Sequence, residues 1–260
     1  MQCKKGFTLI EVALFLAITG ALFVGIVAGV QNSIFQQRTN DSIQNFMEFL
    51  RTAYSETMNV QSLGTGQSNF ATYGKLITFG ESRGLDGNIL STEERRNYIY
   101  MYDVIGRIDV EKEISTTGGA LDMLNELGAS VMMEENGSLK LNGIVESYTP
   151  KWGAIIENSK GDVFLGSLLI IRHPNSGVVY TFFSDNVIQV NEKINNREPA
   201  IVWKENDFKM DDVDFCVNST GEAGFLNRQD VRIIENARSG SGIELVPENS
   251  SDNKCRRDEN

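Results

Sequence analysis

The sequence predicts an α+β protein: a long N-terminal α-helix, membrane-spanning in its first half and amphipathic in its second, packed on a mainly antiparallel β-sheet domain. Three observations predict this class. An uninterrupted apolar run extends from Phe7 to Val30, an amphipathic stretch without Pro or Gly follows it to about Val60, and short strand-like runs separated by turn residues fill the remainder. The 260 residues are 41% hydrophobic, which is enough for one large domain and excludes a disordered chain.

The composition excludes several classes of function. The formal net charge is −11, and all but two of the 24 basic and all but one of the 35 acidic residues follow Val30. A body this acidic repels phosphate backbones, which argues against nucleic acid as a partner. The single histidine, His173, excludes most histidine-built metal and nucleophile sites, and the sequence has no P-loop, metalloprotease or zinc motif. The sequence therefore predicts no catalytic residue, no metal site and no cofactor.

The apolar run is long enough to cross a membrane. As a helix, its 24 residues span about 36 Å at about 1.5 Å per residue, more than a hydrocarbon core of about 30 Å. Lys4 and Lys5 precede the run and no positive cluster follows it, which predicts a cytoplasmic N-terminus and an external body. A secretory signal peptide has a shorter apolar core and a small-x-small cleavage site, which this run lacks. An ordinary single-pass anchor fits the length but leaves Glu11 unexplained.

Glu11 is the single charge in the apolar run. A carboxylate inside a spanning helix costs about 2.5–3.5 kcal/mol on insertion scales, so it usually has a partner. One interpretation is an interfacial side chain that snorkels to the headgroups, because Glu11 lies near the start of the helix. The other is that Glu11 belongs to a specific signal, formed with the residues before it: Lys4-Lys5-Gly6-Phe7-Thr8-Leu9-Ile10-Glu11.

This arrangement resembles the type IV prepilin family, in which a short basic leader ending in Gly precedes Phe-Thr-Leu-Ile-Glu and a long apolar helix. The resemblance implies that a prepilin peptidase cleaves between Gly6 and Phe7 on the cytoplasmic side and methylates the new amine of Phe7. It implies a pilin fold, with other pilin subunits and an inner-membrane assembly platform as partners. It also implies residence among the lipids of the bacterial cytoplasmic membrane, followed by incorporation into a cell-surface filament.

Cleavage creates a positive amine at the head of the helix, where Glu11 of a neighbouring subunit can pair with it. At about 4 Å and an effective dielectric constant near 20, such a pair gains about 4 kcal/mol, enough to offset the cost of burying the carboxylate. Glu11 is therefore expected to set the register between subunits during assembly. Its replacement by Val is expected to leave insertion and processing intact and to prevent filament formation.

The predicted stem, residues 31–61, continues the helix beyond the membrane. Its apolar side chains share one helical face, which is expected to pack on the sheet domain: Ile43, Phe46, Met47, Leu50 and Tyr54. The sequence thus divides into a leader at 1–6, an assembly helix at 7–30, the stem, a globular β-rich domain at 62–247 and a polar C-terminal tail at 248–260.

The globular domain is predicted to consist mostly of strands. Turn residues such as Asn136-Gly137 separate several of them and indicate hairpins, hence antiparallel pairing. One short helix is expected at 117–127, where leucines recur at every third position and Gly128 stops the helix. The predicted strands are Lys75–Phe79, Tyr98–Ile105, Ser138–Tyr148, Gly153–Ile156, Val163–Arg172, Val178–Phe183, Val187–Val190, Val213–Val217, Val231–Glu235 and Ile243–Val246.

The cysteines and a group of acids are the remaining candidate sites. Cys3 leaves with the leader if the chain is processed as the resemblance implies, and Cys216 and Cys255 then face an oxidising exterior, where an even pair favours a disulfide. The alternative is a buried Cys216 with a free Cys255. The acids between Asp211 and Asp214 are interpreted as a solvated turn, because their spacing matches no calcium-binding EF-hand loop.

The resemblance implies a structural subunit of a type IV pilus or a related filament. The size of the domain beyond the stem favours a minor subunit that primes the filament or lies at its tip. Residues 213–246 weakly resemble the C-terminal hairpins of minor pilins and of H-type minor pseudopilins of type II secretion. Two alternatives stay open: a minor pilin that recognises a surface, and a generic single-pass membrane protein with an external domain.

Overall fold

The structure, a computed structural model, describes residues 8–59, 70–107, 119–135, 138–141, 145–196, 203–204, 207–219 and 228–255. A long N-terminal helix and antiparallel β-sheets make up these residues, which confirms the predicted α+β class. The helices are α1 (Leu9–Met58), α2 (Thr92–Asn97), α3 (Ala120–Glu126) and α4 (Val190–Asn196). The strands are β1 (Phe70–Phe79), β2 (Ile99–Arg107), β3 (Met132–Glu135), β4 (Ser138–Leu141), β5 (Val145–Tyr148), β6 (Ala154–Glu157), β7 (Gly166–Arg172), β8 (Val179–Ser184), β9 (Val213–Ser219), β10 (Arg228–Ile233) and β11 (Ile243–Val246).

The 50 residues of α1 form one continuous helix with two different halves. The described side chains between Leu9 and Arg38, which do not include that of Asn32, lie outside the core, and regular burial begins at Thr39. The predicted stem face is confirmed, since each of its five apolar residues is at most 4% exposed: Ile43, Phe46, Met47, Leu50 and Tyr54. The second half of the helix is therefore part of the domain core, and the first half projects from the domain.

Three sheets organise the strands. A five-stranded sheet has the order β5-β2-β1-β7-β8, a four-stranded sheet has the order β11-β10-β9-β6, and β3 pairs with β4 alone. Every ladder is antiparallel. The hairpin expected around Asn136-Gly137 is present as the β3–β4 pair, although those two residues lie outside the described part.

The five-stranded sheet is buried on both faces. One face packs with α1 and the four-stranded sheet in a single apolar cluster that includes Leu50, Ile77 and Phe215. The opposite face packs against α3, β3 and Trp203. Because both faces are covered, its central strands read as continuous apolar runs rather than as alternating ones, as in 168–171 of β7.

Two predicted strands are wrong. Val187–Val190 is not a strand, because the backbone N–H of Ile188 and the carbonyl of Asn186 bind the hydroxyl of Ser167 rather than a neighbouring strand, and α4 begins at Val190. The predicted run Ser138–Tyr148 is two strands, β4 and β5, which pair with different partners. A short alternating run fits either arrangement, and only the tertiary neighbours decide between them.

Of the short helices, α3 was predicted from the sequence and α2 was not. The helix expected at 117–127 is present as α3, and Gly128 ends it with a positive φ of 57°. Residues 117 and 118 lie outside the described part. The sequence analysis missed α2, although Ser91 and Glu94 form a complete capping box at its start.

Candidate assembly site

The projecting half of α1 exposes large apolar side chains to solvent. Leu9 is 87% exposed and Ile10 75%, and Phe15, Leu22 and Phe23 are each more than half exposed. Within the described residues, α1 is the one helix long and apolar enough to cross a membrane, and its most apolar window has a mean hydropathy of 2.4 with no part buried in the domain. Exposed apolar surfaces of this size are typical of segments that contact lipid or another protein chain.

Thr8 and Glu11 close the N-terminus of this helix with a reciprocal capping box. The backbone N–H and the hydroxyl of Thr8 each donate to Oε2 of Glu11 at 2.9 Å, and the backbone N–H of Glu11 donates to Oγ1 of Thr8 at 3.3 Å. The predicted processing residues, Gly6 and Phe7, lie outside the described residues. The carboxylate of Glu11 is thus hydrogen-bonded locally to neutral donors, and the residue is exposed.

The helix leaves the domain beside a short 3-10 turn, Lys151–Gly153. The hydroxyl of Ser42 donates to the carbonyl oxygen of Lys151 at 2.9 Å. The guanidinium carbon of Arg38 lies 5.0 Å from the centre of the Trp152 ring, within the range of a cation–π contact. These contacts fix the point at which α1 emerges.

Further along the helix, polar contacts join α1 to the five-stranded sheet. The hydroxyls of Tyr54 and Thr181 are hydrogen-bonded at 2.8 Å, and Thr181 also donates to the carbonyl oxygen of Ala237. Burial raises the pKa of the Tyr54 hydroxyl to about 12, although its hydrogen bond with Thr181 acts in the opposite direction. Near the helix end, Nζ of Lys75 lies 2.5 Å from the carboxylate of Glu56. The domain therefore holds α1 at several positions along its length, so that a force on the helix is transmitted to the domain.

The two cysteines of the domain are joined in the structure. Cys216, in β9, forms a disulfide with Cys255, and both residues are fully buried. The segment after β11 thus folds back onto the four-stranded sheet. In register with Cys216 lies Asp230, whose Oδ2 accepts from the backbone N–H of Lys254 at 3.0 Å. Burial raises the pKa of Asp230 to about 6, although the hydrogen bond from Lys254 lowers it.

Asp212 and Asp214 have partners within the protein itself. The carboxylate of Asp214 accepts from Nε of Arg232 and from Nζ of Lys254, both at 2.6 Å. Asp212 accepts from the backbone N–H of Glu235 at 2.6 Å. These acids are structural groups that link β9, β10 and the C-terminal segment. His173 likewise serves a turn, since its Nδ1 accepts from the backbone N–H of Ser176.

The sequence analysis missed a buried carboxyl group, Glu81, which is 1% exposed. Its Oε1 accepts from the hydroxyls of Thr78 (2.7 Å) and Tyr102 (2.6 Å), and its Oε2 accepts from the backbone N–H of Asn191 (2.9 Å). Burial raises the pKa of Glu81 to about 7, a larger effect than that of the three donors, which lower it. No local pattern marks this residue, because its partners are brought together from three separate elements.

The chain was compared with known proteins at three levels, and no family model, no curated protein and no solved structure matches it.

Proposed function

We propose that this chain is a pilin-like structural subunit of a type IV pilus or a related filament, processed at the Gly6–Phe7 bond and assembled through its N-terminal helix. The observation that carries the proposal is the projecting half of α1: an exposed helix, apolar from Leu9 to Val30 with Glu11 as the one charge in that span, and continuous with a stem that is built into the domain core. Such a helix can cross a membrane as a monomer and exchange lipid for neighbouring helices in a filament.

In this proposal Glu11 has two successive partners. Before assembly, its carboxylate accepts the two hydrogen bonds from Thr8 that hold it along the helix start. During assembly, it pairs with the positive amine of Phe7 of a neighbouring subunit. A full charge replaces neutral donors in that step, and an ion pair at about 4 Å is worth about 4 kcal/mol at an effective dielectric constant near 20. The gain favours the register in which amine and carboxylate meet.

The mature N-terminus gives the first test. Mass analysis of the protein recovered from cells is expected to show a chain that begins at methylated Phe7. A chain that keeps Met1 and carries no methyl group would identify a generic single-pass membrane protein instead.

Replacement of the carboxylate gives the second test. Glu11→Val is expected to be inserted and cleaved normally but to be missing from filaments sheared off the cell surface. Glu48→Gln is the matched control, because Glu48 is an exposed acid on the stem of the same helix. Normal incorporation of Glu11→Val would remove the proposed role of the ion pair.

We further propose that the subunit is a minor one, placed at the filament tip or used to prime assembly. The support is the bulk of the domain beyond the stem, which contains two sheets and a separate hairpin. A minor subunit is expected in trace amounts relative to the dominant band of sheared filaments. A surface-recognition role is the second candidate, favoured by Leu85 and Ile89, two exposed apolar residues in the loop after β1.

A further inference from the structure

Trp152 is a large apolar side chain on the surface, beside the point where α1 leaves the domain. It is 54% exposed, and its indole ring lies against the Arg38 guanidinium rather than in the core. The chain contains two tryptophans, and the other, Trp203, is 2% exposed, with its Nε1 donating to the carbonyl oxygen of Ala129. The two tryptophans therefore differ: Trp203 is a buried, hydrogen-bonded core residue, and Trp152 is exposed.

The backbone of Trp152 is strained. Its φ of 61° and ψ of 24° lie in the left-handed region, which costs a residue other than glycine about 1–2 kcal/mol. A bulky aromatic residue rarely occupies that region, and here the cost is not offset by burial of the ring. Residues with strained backbones cluster at functional sites, which makes Trp152 a candidate for a functional contact.

Two more exposed apolar residues lie at the same end of the domain. In the five-stranded sheet, Tyr148 pairs with Ile99, Ile99 with Phe79, and Phe79 with Gly166, so the neighbouring ends of four strands are level with one another. Tyr98 immediately precedes Ile99 and is 38% exposed, and Leu165 immediately precedes Gly166 and is 48% exposed. Tyr98 and Leu165 thus lie at the strand ends, whereas Trp152 lies beside Arg38. We call the group of Arg38, Lys151 and Trp152 the collar.

The collar lies on the side from which the apolar half of α1 emerges. Phe49 of α1 stacks on Tyr148 with ring centres 4.5 Å apart, whereas Glu56, two turns later, contacts Lys75 in the middle of β1. These strand ends are on the same side as Arg38, but Arg38 precedes Phe49 by eleven residues, or about 16 Å of helix, so the collar lies beyond the strand ends. Arg38 and Lys151 add two basic side chains next to Trp152.

The length of the helix places the collar at the membrane surface. If Glu11 lies at the inner edge of the hydrocarbon core, about 20 residues at about 1.5 Å each carry the helix across about 30 Å to about residue 31. The outer headgroup layer is about 5–7 Å thick and takes the helix to about residue 35. Arg38 follows within one further turn, and a helix tilt of about 20° brings one side of the collar closer to the lipid.

We propose that the collar is an interfacial anchor, which rests on the outer headgroup layer of the membrane before the subunit is assembled. The partner is the lipid surface: an indole ring favours the headgroup region, and the basic groups of Arg38 and Lys151 can bind lipid phosphates. This proposal rests on the membrane-spanning part of the proposed function. It also predicts the orientation of the domain, since the anchor fixes how the domain lies on the membrane before the subunit is incorporated into a filament.

Fluorescence quenching tests the proposal with the full chain. The protein is reconstituted in vesicles of phosphatidylethanolamine and phosphatidylglycerol, with and without a nitroxide on part of the lipid headgroups. The difference between wild type and Trp152→Phe isolates the emission of Trp152. We expect the headgroup nitroxide to remove about half or more of this emission, because an interfacial indole lies at the depth of the headgroups.

Two single-site reporters, each in the Trp152→Phe background, complete the experiment. Met58→Trp places a ring at the opposite end of the stem, where Met58 is exposed, and its emission is expected to be insensitive to the headgroup nitroxide and sensitive to aqueous iodide. Phe15→Trp places a ring within the spanning segment, and its emission is expected to be quenched by lipids brominated in their acyl chains.

The reporters distinguish a failure of the collar proposal from a failure of the proposed membrane span. If Phe15→Trp is quenched by brominated chains while Trp152 behaves like Met58→Trp, the collar proposal is overturned and the membrane span stands. If Phe15→Trp is not quenched, the span itself fails, and the collar proposal fails with it. Protection of Trp152 from iodide that depends on protein density, with no effect of the nitroxide, would show a second copy of the chain as its partner and would also overturn the proposal.

Discussion

Nζ of Lys75 lies 2.5 Å from the carboxylate of Glu56 and 2.6 Å from that of Asp103, so one buried ammonium joins the end of α1 to β1 and β2. Burial by itself lowers the pKa of Lys75, but the two carboxylates outweigh it and raise the pKa above its ordinary value. The group is therefore charged throughout the physiological range. It links the helix that would carry the load in a filament to the centre of the sheet.

Removal of this ammonium is expected to be costly. Lys75→Met leaves the buried carboxylate of Asp103 without its cation, and we expect the free energy of unfolding to fall by about 3–5 kcal/mol. Denaturant titration in mild detergent measures the loss. Lys209→Met is the matched control, because its pair with Asp185 is exposed and is expected to contribute below about 1 kcal/mol. Equal losses in the two variants would contradict the assigned role.

Glu81 is expected to make stability depend on pH. Its pKa is about 7 in the folded protein and 4.5 in the absence of the fold, so the folded state binds the proton more tightly. The free energy of unfolding is then highest at low pH, falls as pH rises from about 4.5 to about 7, and levels off above, a change of about 3 kcal/mol. Denaturant titrations at pH 5 and pH 8 measure this difference.

Glu81→Gln is expected to flatten that profile, because the amide keeps an oxygen for Thr78 and Tyr102 but does not titrate. Asp230, whose pKa burial raises to about 6, contributes in the same direction and leaves a smaller slope in the variant. Glu48→Gln, at an exposed position, should retain the wild-type profile. An unchanged profile in Glu81→Gln would show that Glu81 does not titrate in this range.

Substitution of Thr8 tests capping of the helix separately from the proposed pairing between subunits. Thr8→Val removes the hydroxyl that caps the first turn, and we expect local opening of that turn to become easier by about 1 kcal/mol. Amide hydrogen exchange of residues 9–12 in detergent micelles measures it, with Thr8→Ser as the control that keeps the hydroxyl. Because Glu11 is intact, Thr8→Val is expected to enter filaments. Its exclusion, at the level of Glu11→Val, would show that capping itself is required.

The disulfide is expected to stabilise the domain by closing a sequence separation of 39 residues. In the loop-entropy model its loss costs about 3–4 kcal/mol, and the double variant Cys216→Ser/Cys255→Ser should lower the midpoint of thermal unfolding accordingly. Thiol counting under denaturing, non-reducing conditions provides the check. The precursor should show a single reactive thiol, from Cys3, and the processed chain none. Two thiols in the processed chain would exclude the bridge.

Local sequence patterns predicted those parts of the fold whose signal is contained in one segment. The stem face was predicted from a spacing of three and four residues, because every helix repeats at that interval. The end of α3 was predicted from Gly128, since glycine adopts a positive φ without steric cost. In both cases the relevant interactions lie within a few residues of one another, so the sequence is sufficient.

Long-range features could not be predicted in this way. Val187–Val190 is rich in β-branched residues, as strands are, but the hydroxyl of Ser167 binds the backbone of Asn186 and Ile188. Glu81 reads as a surface acid, yet Tyr102 and the start of α4 enclose it. No local pattern indicates the left-handed backbone of Trp152, which lies in the short turn beside α1. Each outcome depends on a partner far away in the chain.

The sequence by itself determined that one long helix, apolar and then amphipathic, precedes a domain of antiparallel strands, because these properties follow from the periodicity of neighbouring residues. Only the tertiary structure decided which strands share a sheet, which carboxyl groups are buried, and that an exposed tryptophan stands where the helix leaves the domain. The physical reason is that burial and pairing are properties of groups that meet across the fold, and no single segment contains them.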